Sequence, residues 1–159
     1  MRHVISALVE NKAGVLAHIA GLFSSRGYNI DCLSVGITEN PELSRLTLVT
    51  RGDDAIIEQI RKQLEKLIPV LKVTDLSAKP HVEREFLLAR INAPAAKRNE
   101  VIGLVEVFRA NVVDVSPNEM MIEMAGSQDK VEAFVELIKP YGIKEMARTG
   151  TVGLPRGAR

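Results

Sequence analysis

Apolar residues recur along the chain in two rhythms, and the order of those rhythms comes round twice. Residues 4–9 form an apolar, β-branched run that Glu10, Asn11, Lys12, Ala13 and Gly14 break with turn formers, so a strand and then a turn are predicted. Val15, Leu16, Ile19, Ala20, Leu22 and Phe23 follow at helical spacing, which predicts an amphipathic helix ended near Gly27. Over residues 30–37 the period falls to two, with Leu33, Val35 and Ile37 on one face and Cys32, Ser34 and Gly36 on the other. A polar turn over 38–42 leads to a second alternating run, 43–50. Asp53 and Asp54 stand where carboxylates favour a helix start, and Ile56, Ile57, Ile60, Leu64 and Leu67 repeat helically as far as Pro69. Residues 70–76 supply a last strand.

Strand, helix, strand, strand, helix, strand is the order of a ferredoxin-like unit, in which two helices cover one face of a four-stranded antiparallel sheet. After a short polar stretch containing Pro80, the order returns. Strands are predicted over 86–91, 112–115, 120–124 and 143–148, with helices over about 95–108 and around Val131, Phe134, Val135 and Ile138 up to Pro140. The expected fold class is therefore α+β, built of two ferredoxin-like βαββαβ units. Their expected bounds are 1–77 and 82–149, joined by a linker at 78–81 and followed by a flexible or partner-ordered tail at 150–159, where three glycines and a proline show no period.

Composition removes several function classes. Lys and Arg number 21 against 20 Asp and Glu, so no unbalanced field is available to grip a nucleic-acid backbone or an anionic membrane. Aromatic residues make up 4% and Trp is absent, which leaves few platforms for base stacking. Neither nucleic acid nor membrane is expected as a partner. Cys32 is alone, so no disulfide framework or thiolate metal cage is expected, and with no signal-peptide pattern at the start the expected compartment is the cytoplasm.

No Walker loop, GxGxxG, GxSxG, HExxH or EF-hand pattern occurs, and His3, His18 and His81 lie far apart in the sequence, so catalytic and metal-ligating residues are expected to be absent. His18 falls on the polar face of the first helix and Cys32 on a strand with no base beside it. The informative stretch runs from Asn11 to Leu16, where a strand-to-helix turn leaves the helix's first N–H groups free to meet an anion. Gly14 permits close backbone approach, and the Asn11 amide can both donate and accept. An ordinary turn and helix cap accounts for the same residues, and Asn29 is equally a turn residue. Spacing alone leaves both accounts open.

At these residues the sequence becomes specific. Residues 10–16 and 21–30, ENKAGVL and GLFSSRGYNI, closely resemble the ACT domain of the acetolactate synthase small subunits, and the resemblance continues through residues 43–47, 63–67, 82–85 and 150–157. It departs at His18, Asp31, Cys32 and Leu46, none of which is an implied ligand contact. The resemblance implies a homodimer formed through paired ACT domains, with valine or a related branched-chain amino acid bound where two domains meet. Asn11, Gly14, Val15 and Leu16 of one chain would hold the effector's polar end, and Asn29 and Ile30 of the partner subunit would close the site. It further implies a regulatory role in valine, leucine and isoleucine biosynthesis, on a catalytic subunit carrying thiamine diphosphate, Mg²⁺ and FAD, with no cofactor on this chain. A stand-alone amino-acid-responsive ACT regulator is the alternative. The second unit has no counterpart of residues 11–14, so dimerisation or docking is expected of it.

Overall fold

A computed structural model describes residues 1–158. Its elements run β1 (Arg2–Glu10), α1 (Val15–Ser25), β2 (Ile30–Ile37), β3 (Leu43–Arg51), α2 (Asp54–Glu65), β4 (Val70–Asp75), β5 (His81–Asn92), α3 (Arg98–Val107), β6 (Asn111–Val115), β7 (Glu119–Gly126), α4 (Gln128–Ile138) and β8 (Ile143–Pro155). They form two four-stranded antiparallel sheets, ordered β2-β3-β1-β4 and β6-β7-β5-β8, so both expected ferredoxin-like units are present. The chain divides into two compact units, Met1–Val82 together with Thr151 onward, and Glu83–Gly150.

In the first unit the helix-facing side of the sheet buries Ile5, Ala7 and Val9 of β1 and Leu46 and Leu48 of β3. Against them pack Val15, Ile19 and Phe23 of α1 and Ile57, Ile60 and Leu64 of α2, the three-and-four spacing that the sequence shows. Asp53 starts α2 by accepting a hydrogen bond from the Ile56 N–H at 2.9 Å. On the outer face of α2, Arg61 bridges Glu58 and Glu65 at 2.6 and 2.7 Å. The far side of the sheet carries a smaller cluster, Val4, Val49 and Leu76, with Cys32 against it. Leu76 belongs to a 3-10 turn (Leu76–Ala78) in which Asp75 accepts from the Ser77 N–H, and the Ser77 hydroxyl accepts from the Val4 N–H.

The second unit repeats the plan. Leu87, Ala89 and Ile91 of β5 and Met120, Ile122 and Met124 of β7 face α3 and α4, with Phe108 tilted against Phe134 at a centroid separation of 5.3 Å. The repeat extends to helix ends. At α1 the Gly27 N–H donates to the Ser24 carbonyl and the Tyr28 N–H to the Phe23 carbonyl, and at α3 the Arg109 N–H donates to Glu106 and the Ala110 N–H to Val105. Both are Schellman closures. Gly27 takes the left-handed position at φ 68°, whereas Arg109 takes it at φ 54° with a side chain to accommodate.

Two boundaries differ from the sequence reading. β5 starts at His81, so only Lys79 and Pro80 remain between the 3-10 turn and the next strand, not a linker over 78–81. The tail expected at 150–159 is instead strand as far as Pro155, with Thr151 and Gly153 buried and Val152 and Leu154 exposed. That alternation is a strand's, but glycines at two of its positions, Gly150 and Gly153, hide it, because a glycine adds no apolar mark to the period. Arg159, the end of the expected tail, lies outside the described residues.

Candidate functional site

The turn between β1 and α1 is tied down by one residue. The Asn11 backbone N–H donates to the Glu42 carbonyl at 2.7 Å, and its side-chain amide donates to the Pro41 carbonyl at 2.9 Å. Asn11 thus joins the β1–α1 turn to the β2–β3 turn. Its amide oxygen has no partner among the described residues. Gly14 caps α1 with φ 87°, a left-handed conformation that costs an L-residue about 1–2 kcal/mol. A Cβ at that position would meet nothing within 4 Å, so the backbone lies open there. α1 has neither a capping side chain nor an acid in its first turn. The N–H groups of Leu16 and Ala17 make no hydrogen bond among the described residues, which leaves the positive end of the helix unanswered.

Beside this turn is a cavity of about 100 Å³. Val15, Leu16 and Ile19 of α1 form one wall, and Val35 of β2 with Leu46 of β3 form the other. Asn11 and Ser44 contribute neutral polar groups, and Glu10 and Lys12 sit at the lining as an ion pair at 3.2 Å. An apolar pocket with one anion-seeking helix end and one charge of each sign suits a small zwitterion with an aliphatic side chain. Its volume in one chain falls well short of the roughly 300–1,000 Å³ of pockets for drug-sized ligands.

Of the six residues expected at the site, Asn11, Val15 and Leu16 line this cavity and Gly14 adjoins it in the same turn. Asn29 and Ile30 do not. Ile30 pairs with Thr50 at one end of the β2–β3 ladder, and Ile37 pairs with Ser44 at the other. Seven residue steps of β2, set against six of β3 because β2 bulges, separate the ends, about 20 Å of strand. There the Asn29 carbonyl accepts from the Thr50 hydroxyl at 2.7 Å, and the Asn29 amide donates to Asp31 at 2.7 Å. His18 is exposed on α1, and Cys32 accepts a backbone hydrogen bond from Thr151. Sequence reading did not single out Val35, Ser44 or Leu46, whose strand periodicity marks them as core and not as cavity wall.

β2 forms the edge of its sheet and, among the described residues, pairs only with β3. Val35 and Ile37 on this edge are 46% and 66% exposed, and Leu16 beside them is 46% exposed. An apolar, unprotected edge of this kind is a template for strand pairing. The corresponding turn of the second unit is closed: the Arg98 guanidinium fills it, donating to the Ala93 carbonyl at 3.1 Å and to the Ser116 carbonyl. Among the described residues no three His, Cys, Asp or Glu side chains group to hold a metal, and no helix is long and apolar enough to cross a membrane.

Known proteins match both halves. Residues 5–72 fit the family described as the AHAS small subunit-like ACT domain, and residues 84–157 fit the small subunit of acetolactate synthase. A probable acetolactate synthase small subunit from Archaeoglobus fulgidus is 53% identical over 99% of this chain and 98% of its own length. The isozyme 3 small subunit of acetolactate synthase from Escherichia coli K12 is 46% identical over 99% of this chain and 97% of its own. The crystal structure of the acetolactate synthase small subunit from Thermotoga maritima superposes with a TM-score of 0.92 at 42% identity, covering 100% of this chain and 99% of that one. With an ACT unit at its head, the family's second domain behind it and near-complete coverage of relatives in both directions, the chain belongs to the acetolactate synthase small-subunit family.

Proposed function

We propose that this regulatory subunit activates the catalytic subunit of acetolactate synthase and reports valine to it, through a site that two copies of the chain build together. Membership of a small-subunit family implies a large catalytic partner. Thiamine diphosphate, Mg²⁺ and FAD belong to that partner in this reading, and this chain brings a sensor and no cofactor.

The observation that carries the proposal is the placement of the two groups of site residues at opposite ends of one unpaired edge strand. A strand that pairs with its own copy about a two-fold axis must run antiparallel to it. The Ile30 end of one β2 then meets the Ile37 end of the other. This pairing would bring Asn29 and Ile30 of the partner subunit to the cavity at Asn11, Val15 and Leu16, and it would cover Val35 and Ile37. One dimer would contain two equivalent sites.

Valine suits the pocket. Its carboxylate would take the free N–H groups at the start of α1, a contact worth about 0.3–2 kcal/mol. Its isopropyl group would lie against Val15, Ile19, Val35 and Leu46, contributing about 1.5–3 kcal/mol. Hydrogen bonds to the amide of Asn11 and to the partner add about 1 kcal/mol each. After an association cost of at least about 4 kcal/mol, the balance suits a Kd between micromolar and millimolar. Inhibition additionally requires that valine bind the activating and non-activating dimers unequally, since a ligand indifferent to the two shifts nothing. A site split across an interface meets that requirement, because sliding one protomer moves half of the contacts.

The test is acetolactate formation by the cognate catalytic subunit, with and without this chain, across a valine titration. Activation that valine reverses is the expected result. A folded chain that changes neither rate nor valine response would refute the proposal and leave a stand-alone amino-acid sensor as the reading.

A further inference from the structure

We propose that residues 151–156 form a strap that sets the geometry of β2 at its Asn29–Ile30 end, making this segment a positioning element of the effector site. The inference rests on the valine-site reading above and adds to it a part of the chain that no ligand contact involves.

β2 is weakest at the point where the strap meets it. Ile30 pairs with Thr50 and Cys32 with Val49, so the ladder slips around Asp31 and the strand bulges there. Within one protomer β2 is an edge strand, with no neighbour on its other side among the described residues to correct the slip. Two side chains of β3 hold the bulge: the Thr50 hydroxyl donates to the Asn29 carbonyl at 2.7 Å, and Arg51 donates to Asp31 at 2.8 Å. The third hold comes from the strap. The Thr151 N–H donates to the Cys32 sulfur at 3.0 Å.

Thr151 is itself fixed. It is 3% exposed, and its hydroxyl lies 3.5 Å from the Arg2 guanidinium of β1. Farther along, the Arg156 N–H donates to the Pro80 carbonyl at 2.9 Å. The segment is therefore anchored at both ends to the first unit, with which it groups despite following the whole of the second unit in sequence. Cys32 packs on Val4, Val49 and Leu76, so the strap's contact reaches the sheet and not only a loop. If the strap lets go, the bulge keeps only its side-chain holds from β3, and Asn29 and Ile30 lose a fixed position relative to the partner's cavity.

The experiment uses the full chain and three variants. Thr151→Pro deletes the N–H that Cys32 accepts, Cys32→Ala deletes the acceptor, and Cys32→Ser restores one. Valine binding is read by calorimetry at 25 °C, and folding by far-ultraviolet circular dichroism. The reaction rate of the Cys32 thiol with a neutral pyridyl disulfide is compared between the unaltered chain and Thr151→Pro. The expected result is valine affinity on the order of tenfold weaker in Thr151→Pro and Cys32→Ala, a change that 1.4 kcal/mol carries. Cys32→Ser should recover most of that loss, and Thr151→Pro should expose the thiol several-fold, with circular dichroism unchanged. A merely structural contact would lower the melting temperature and leave valine affinity in the folded chain alone. Affinity within twofold of the unaltered chain in the folded variants overturns the strap. Should Thr151→Pro fail to fold, Cys32→Ala against Cys32→Ser decides. Absence of valine binding by the unaltered chain is a separate outcome: it sinks the effector reading and takes this inference with it.

Discussion

Replacing Gly14 by alanine and by aspartate should give two orders of effect that cross. At φ 87° any L-residue pays for the left-handed conformation, but a Cβ there has open space around it, so the cost is conformational and not steric. For alanine that cost is about 1–2 kcal/mol. Aspartate tolerates the conformation better, and at the head of a helix with no acid in its first turn it gains about 0.3–1 kcal/mol from the helix dipole. Gly14→Asp should therefore be the more stable of the two. For a unit of this size, each kcal/mol moves Tm by roughly 4–8 °C, so calorimetric scans will separate the variants. Valine response should fall in the reverse order. The aspartate places a negative charge where the effector carboxylate is expected, and two like charges about 4 Å apart repel by about 1 kcal/mol in water and about 4 kcal/mol at an effective dielectric of 20. That repulsion corresponds to a loss of at least fivefold in valine affinity, against a smaller loss for alanine. The assay pairs a melting curve with a valine inhibition curve on the reconstituted enzyme. If valine sensitivity follows stability, with alanine the worse in both, the charge argument is refuted and Gly14 acts through folding alone.

Ile37→Lys, on the open edge of β2 where the side chain is 66% exposed, should leave the protomer folded while shifting sedimentation from dimer to monomer; an unchanged dimer would place the interface elsewhere. Arg109→Gly should stabilise the second unit by about 0.5–1 kcal/mol in urea unfolding, since relief of left-handed strain exceeds the added chain entropy. The Tyr141 hydroxyl donates to Glu100 at 3.0 Å, and that hydrogen bond, assisted by burial and the carboxylate charge, raises the phenol above its ordinary range. The bond's contribution is therefore present at pH below the unfolded phenol's pKa and is lost as pH rises through the folded one. Absorbance titration near 295 nm should show a late-ionising tyrosine that Glu100→Gln brings earlier.

Most of the scaffold was legible because its elements carry clean periods. The helical spacing of Ile57, Ile60 and Leu64 has one buried solution, and the alternation of Leu33, Val35 and Ile37 marks a strand even though Val35 and Ile37 stay exposed in the protomer. Asn11 and Gly14 were legible for a different reason: an amide and a glycine between a strand and a helix are cheap to specify locally. The cavity's other wall was not. Val35 and Leu46 meet α1 only through tertiary packing, and a period of two marks them no differently from any core residue. The strap was hidden in the same way, since its contacts with Arg2 of β1 and Cys32 of β2 lie far away in sequence.

That return of the chain to its first unit bears on the order of biosynthesis. Domains generally fold as they leave the ribosome, amino-terminal first. Here β1 to β4 emerge early, but the residues that lie against Cys32 and Arg2 follow the entire second unit. At about 5–20 residues per second, the first unit waits several seconds with Leu76 but not Thr151 in place on the Cys32 side of its sheet. Translation that stops within the second unit would leave the first sheet with all four of its strands and no strap. The first unit is thus complete only once the second has been made.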